Sequence, residues 1–162
     1  MKAQSILMEN AHIAFRNFSG KAGNYNPEGD RNVCVFLDTK LAKSLEEDNW
    51  NIKWLKPNDK DEDPQAYIQA KVSYDNIPPK IVMISSHGRT TLDEESVGLL
   101  DFAEISKVDL IIRPYEWTVN GKSGVKAYIK SMYVTIYEDE LELKYSEVPD
   151  SAVNTMKDDD AD

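Results

Sequence analysis

The feature that most constrains how this 162-residue chain can fold is a pair of long β-forming segments, DLIIRPYEWTV (109–119) and VKAYIKSMYVTIY (125–137), divided by Asn120-Gly121. Asn-Gly is favoured at the centre of a two-residue hairpin turn, where both positions need positive φ. The pair therefore predicts an extended antiparallel hairpin and a chain that is mainly β. Side chains alternate faces along a strand, so Arg113, Tyr115 and Trp117 share a side. A two-residue loop pairs Val119 with Lys122 and a four-residue loop pairs it with Gly124. The two registers differ by an even number, so either one puts Lys126, Tyr128 and Lys130 on that same side. Ile112, Val125, Ala127 and Ile129 lie opposite, on the expected core face.

Shorter signals fill in the rest. Segments 10–18, 32–38, 51–57, 66–74 and 80–86 read as strands, the fourth by strict alternation. Residues 40–48 predict a helix capped by Thr39, with Leu41 and Leu45 on one face. Residues 93–102 are a second helical candidate, interrupted by Gly98. The stretches 19–31 and 58–64 are loops rich in Gly, Asn, Asp and Pro. Roughly seven strands with two short helices define an all-β or α+β barrel or sandwich.

Hydrophobic residues make up 41% and charged residues 30%, enough apolar side chains for one folded domain over 1–149. No apolar run approaches the ~18 residues of a membrane span. Nor does the N-terminus carry the apolar core of a signal peptide. A single cysteine, Cys34, allows no intrachain disulfide, which points to a reducing cytoplasm. The net charge of −10 is unevenly placed. Ten acids and two lysines (Lys144 and Lys157) lie in 138–162, leaving −2 on 1–137, so the body can hold a basic patch despite the low pI. Residues 150–162, ending in Asp158-Asp159-Asp160-Ala161-Asp162, are poor in apolar residues and predict a disordered acidic tail. Such a tail aids solubility, competes with phosphates for a basic face, or docks basic sites on replication or recombination partners.

The hairpin face interleaves three aromatics with three cations. Single-stranded nucleic acid is bound by that combination: rings stack on unpaired bases and cations follow the phosphates. Tyr and Trp also favour strands in their own right, and Lys is ordinary solvated cover. Further candidates are Arg16 with Phe18, Tyr67 with Lys71, and Lys53, while Tyr25 and Arg31 flank the early loop. Catalytic and metal patterns are weak. His12 and His87 are far apart, and SSHGRTT carries no Gly-x-Ser-x-Gly elbow. With one cysteine, no Cys-based zinc spacing is possible. The acids at 59, 61, 62 and 63 lack calcium-loop spacing. Gly121-Lys122-Ser123 sits at a hairpin tip rather than at a strand-to-helix phosphate loop. The reading is a binding protein without a cofactor, not an enzyme.

RNFSG, NYNPEGDRNVCVFLD, WNIKWLKP, PPKIVMISS and RPYEWTVNGKSGVKAYIKSMYVTI resemble the small single-stranded DNA-binding proteins of tailed bacteriophages and prophages, over most of residues 10–150. The resemblance implies an OB-like barrel of five or more strands and sequence-tolerant binding of single-stranded DNA. It also implies a role in phage replication or recombination in the host cytoplasm, with Asp158, Asp159, Asp160 and Asp162 recruiting partners. Two alternatives accompany it. One is a phage structural or assembly β-sandwich acting through protein contacts; the other is a hydrolase built around His87.

Overall fold

The computed structural model describes residues 3–24, 26–56, 62–75, 77–139, 141 and 144–145. Its strands in chain order are β1 (Ile6–Met8), β2 (Ile13–Asn17), β3 (Arg31–Leu37), β4 (Ile52–Leu55), β5 (Gln65–Val72), β6 (Lys80–Ser85), β7 (Gly88–Leu92), β8 (Ile105–Val119) and β9 (Lys122–Ile136). One α-helix, α1 (Thr39–Glu47), follows β3, and a 3₁₀ turn covers Val97–Asp101. The expected acidic tail lies outside the described residues.

The β8–β9 hairpin is the spine of the sheet. Val119 pairs with Lys122, so the loop is the two-residue one, with Asn120 at φ 52° and Gly121 at φ 78°. Both central residues are left-handed, as this turn demands. β1 lines one edge of β8 antiparallel. The free edge of β9 is shared by two parallel partners: β5 at Ala127–Tyr128 and β6 at Ser131–Thr135. From β5 the sheet continues through β3 to β2, while β4 borders β5 and β7 borders β6. The result is one nine-stranded mixed sheet, mainly β and OB-like. It curls on itself: the N–H of Ala11, just before β2, donates to the Val108 carbonyl on β8 at 2.8 Å. Among the described residues the strand pairings do not close it into a barrel.

Alternation places the core on one side. Val33, Val35 and Leu37, then Ile68, Ala70 and Val72, then Val108, Leu110 and Ile112 are all buried. On β9 the pattern changes phase. Val125, Ala127 and Ile129 are buried, and so are Met132 and Val134. Ile111 pairs with Ser131 while Ile112 pairs with Ile129, so Lys130 is an extra residue in β9. This is a β-bulge, and it reverses the face on which each later side chain lies.

Several local expectations are corrected. Asp38, not Thr39, caps α1: its carboxylate accepts the Leu41 N–H at 2.8 Å. The strand expected over 10–18 shortens to β2, with Asn10 at φ 52° ahead of it, and β1 is an additional strand that was not expected. The helix expected over 93–102 is only the 3₁₀ turn, preceded by an Asp93 carboxylate that holds the N–H groups of Glu95 and Ser96. A Cβ on Gly98 would stand 3.1 Å from Ser19 Cβ, so glycine admits the chain end of β2 there. The polar stretch 88–92 is strand β7, reached by a tight turn through Ser86-His87.

Candidate nucleic-acid interface

The face of the sheet turned away from the core gathers most of the hairpin residues. Tyr115 pairs across the strands with Lys126, Arg113 with Tyr128, and Trp117 with Gly124. Lys71 of β5 pairs with Tyr128 from the other side. Neighbouring strands lie ~4.8 Å apart, so one row runs Lys71, Tyr128, Arg113 across three strands. The Arg113 guanidinium sits over the Tyr128 ring, 4.6 Å from its centroid, and Tyr115 meets the same ring edge-on at 5.8 Å. Tyr115 remains 51% exposed and so keeps ring surface for a ligand. Lys126 and Lys130 are exposed, the latter at the bulge.

Charge is available on this face. Among the described residues Lys71, Arg113, Lys126 and Lys130 form no ion pair; the two pairs present are Arg31–Glu94 and Lys107–Asp109, each at 3.6 Å. Arg113 Nε is buried without a hydrogen-bond partner, a costly state that contact with an acceptor would relieve.

Two concavities meet at Lys71 and Tyr128. A cleft of about 380 Å³ lies between the Gly29–Arg31 loop, the chain following β5 and the Arg113–Tyr115–Tyr128 cluster. A smaller one, of about 250 Å³, opens where β5 and β9 diverge, lined by Gln69, Lys71, Lys126 and Tyr128. Tyr74, past the end of β5, lies in the wall of the larger cleft beneath the Arg31 guanidinium, 5.7 Å from its ring centroid. Burial pushes the Tyr74 hydroxyl above its ordinary pKa, with Arg31 pulling it down and Asp93 and Glu94 adding to the rise. Tyr74 follows the end of β5 and is half-buried, packed against the core cluster while its ring borders the cleft.

Trp117 depends on a glycine. A Cβ built on Gly124 would lie 2.8 Å from Trp117 Cζ2 and Nε1. The indole therefore lies against the backbone of its register partner, a position only glycine allows. A Gly at the start of the second strand pattern is the signal in the sequence for such close approach to the backbone.

The remaining candidates separate. Tyr67 shares the face and parity of Lys71 and is flanked in register by Phe36 and Lys53. Phe18, by contrast, is 0% exposed and belongs to the core. Arg16 is tied to the Leu100 and Ala103 carbonyls at 2.8 and 2.7 Å, anchoring β2 to the 3₁₀ turn. The register of β2 shifts between Ala14 and Asn17, with Phe15 at φ 49°, and Phe18 lies past the end of the strand. Arg31 borders the cleft, but its guanidinium holds the Phe18 carbonyl at 2.8 Å and faces Glu94. Tyr25 lies outside the described residues. His87 stands at the β6–β7 turn, its backbone N–H on Ser85 Oγ, while Ser86 is held by Glu138. That contact keeps the Glu138 carboxyl below its usual range.

An OB-like, β-dominated sheet with an open aromatic and cationic face defines a class of protein suited to unpaired nucleic acid strands. Residues 1–162 match the family described as "Putative phage ssDNA-binding domain", and the chain belongs to that family. The fold is similar to that of the single-stranded DNA-binding protein from bacteriophage Enc34 solved in complex with ssDNA. There the TM-score is 0.54 and the identity 11%, over 84% of this chain and 88% of that one. A second structure of the Enc34 protein gives a TM-score of 0.53 at 11% identity over 89% of each chain. Its C-terminally truncated form gives 0.52 at 10% identity over 84% and 88%. At such identity these likenesses establish the fold. No curated protein matches the chain in sequence.

Proposed function

We propose that this protein binds single-stranded DNA in a sequence-tolerant way, serving phage DNA replication or recombination in the host cytoplasm. One observation carries the reading: the Tyr115–Tyr128 pair is set among Lys71, Arg113 and Lys126, none of them engaged in an ion pair among the described residues. Exposed ring surface stacks on bases of any identity, and the free cations take the phosphates. Trp117, Lys130, Tyr67 and Lys53 extend the same face, while Arg16 and Phe18 serve the fold. Family membership and the likeness to a protein solved with ssDNA support this reading over a structural or assembly role. The acidic end, with Asp158, Asp159, Asp160 and Asp162, belongs to the proposal as a dock for replication or recombination proteins.

Titration with oligo-dT, oligo-dC and oligo-dA, followed by tryptophan fluorescence, tests the proposal. All three bind, and Tyr115→Ala and Trp117→Ala each weaken binding by about 1–3 kcal/mol. Variants that bind as tightly as the wild type would reject this face as the stacking surface.

A further inference from the structure

A second cluster lies on the same outer face, farther along β9. Tyr133 is flanked by two cations: Lys80 Nζ is 5.7 Å from its ring centroid and Arg89 Cζ is 6.0 Å away. Lys80 comes from β6, opposite Ser131, and Arg89 from β7, opposite Ile84. Strict alternation from Tyr128 would send Tyr133 into the core. The bulge at Lys130 reverses the phase, so Met132 and Val134 are buried and Tyr133 faces outward with Tyr128. Lys130 itself is exposed between the two clusters. At ~3.3 Å per residue, the five-residue step from Tyr128 to Tyr133 spans roughly 16 Å. The one acid across from Tyr133 on β8, Asp109, faces Lys107 at 3.6 Å, which offsets its charge.

Resting on the single-stranded DNA reading above, we infer that Tyr133, Lys80 and Arg89 form a second stacking and phosphate-contact station for the same strand. Lys130 bridges it to the Tyr115–Tyr128 station, so the DNA follows β9 across the bulge. The ring offers its face to a base and the two cations offer contacts to the flanking phosphates. A strand must be long enough to reach both stations before the second one contributes.

Oligonucleotide length supplies the test. An oligo-dT of about 3 nucleotides is too short to cover the roughly 16 Å between the stations and occupies the first alone, whereas one of about 14 spans both, within the ~4–16 nucleotides covered by an OB fold. The double variant Lys80→Gln with Arg89→Gln keeps its alkyl stems and is compared with the wild type at equal Tm. The longer oligomer binds it less tightly, with a log K against log salt slope smaller by about 1.4, at ~0.7 per lost phosphate contact on single strands. The shorter oligomer binds both proteins alike. Tyr133→Leu, which retains apolar cover on that face, weakens the longer oligomer about tenfold and leaves the shorter unchanged. Equal binding of wild type and variants at both lengths overturns the second station while the first stands. A loss of the same size at both lengths also overturns it, because an indirect structural effect would act that way. Failure of the wild type to bind either oligomer overturns the underlying reading instead.

Discussion

Two aromatic residues close in sequence to cations, Phe18 and Tyr115, have opposite fates, and their burial separates them. Phe18→Ala empties a core position and costs about 3–5 kcal/mol of stability, with the affinity of the folded protein for DNA unchanged. Denaturant melts and titrations on the same variant check both halves. Gly124→Ala behaves in the reverse way, because its Cβ displaces the Trp117 indole. It weakens DNA binding in the wild type and adds no further loss in a Trp117→Ala background. A loss of equal size in both backgrounds would show that Gly124 acts otherwise. Cys34 is buried, which raises its thiol pKa, and Lys53 draws it down by less. A raised folded pKa means the fold holds the proton that the unfolded chain releases. The contribution of this group is therefore complete below the unfolded pKa and is lost as pH rises through the folded one. At neutral pH Cys34 reacts with a disulfide reagent far more slowly in the native chain than after denaturation. At this scale the sequence was legible where alternation held, at Arg113, Tyr115, Lys126 and Tyr128. It misled at Arg16, whose guanidinium is taken by the Leu100 and Ala103 carbonyls, and at Phe18, which lies past the end of β2 in the core.

Among the elements, the β8–β9 hairpin is fixed by local chemistry. Gly121 has φ 78°, so Gly121→Val costs about 1–2 kcal/mol from the left-handed penalty, measurable by urea denaturation. Its turn and register could be read from Asn-Gly and from the parity of the flanking residues. Elements that depend on partners were harder to read. β7 has the sequence GRTTL, with little apolar alternation, and forms because β6 supplies its hydrogen bonds. The segment 93–102 has helical spacing, yet the Asp93 carboxylate takes the next N–H groups and Gly98 must pass close to Ser19. The Lys130 bulge has no marker in the sequence that distinguishes it from continued alternation. It decides that Tyr133 faces outward, so the second station could be found only from the pairing of β9 with β8 and β6.

For the whole molecule, the proposal rests on one outer face with open rings and with cations that form no ion pair among the described residues, while in the sequence most of the net acidic charge lies beyond residue 137. The mainly β, OB-like class was readable from the strand count and turn signals. The curl of the sheet was not, because it rests on a long-range bond from Ala11 to Val108 that neither residue type announces. No helix among the described residues is long and apolar enough to cross a membrane. The most direct test is an oligo-dT titration of the full chain, and of a version lacking 150–162, across a salt series starting near 50 mM. Both forms bind, with log K falling linearly as log salt rises, because the cations displace counterions from the phosphates. The version without its acidic end binds more tightly. Absence of binding by either form at the lowest salt would contradict the account.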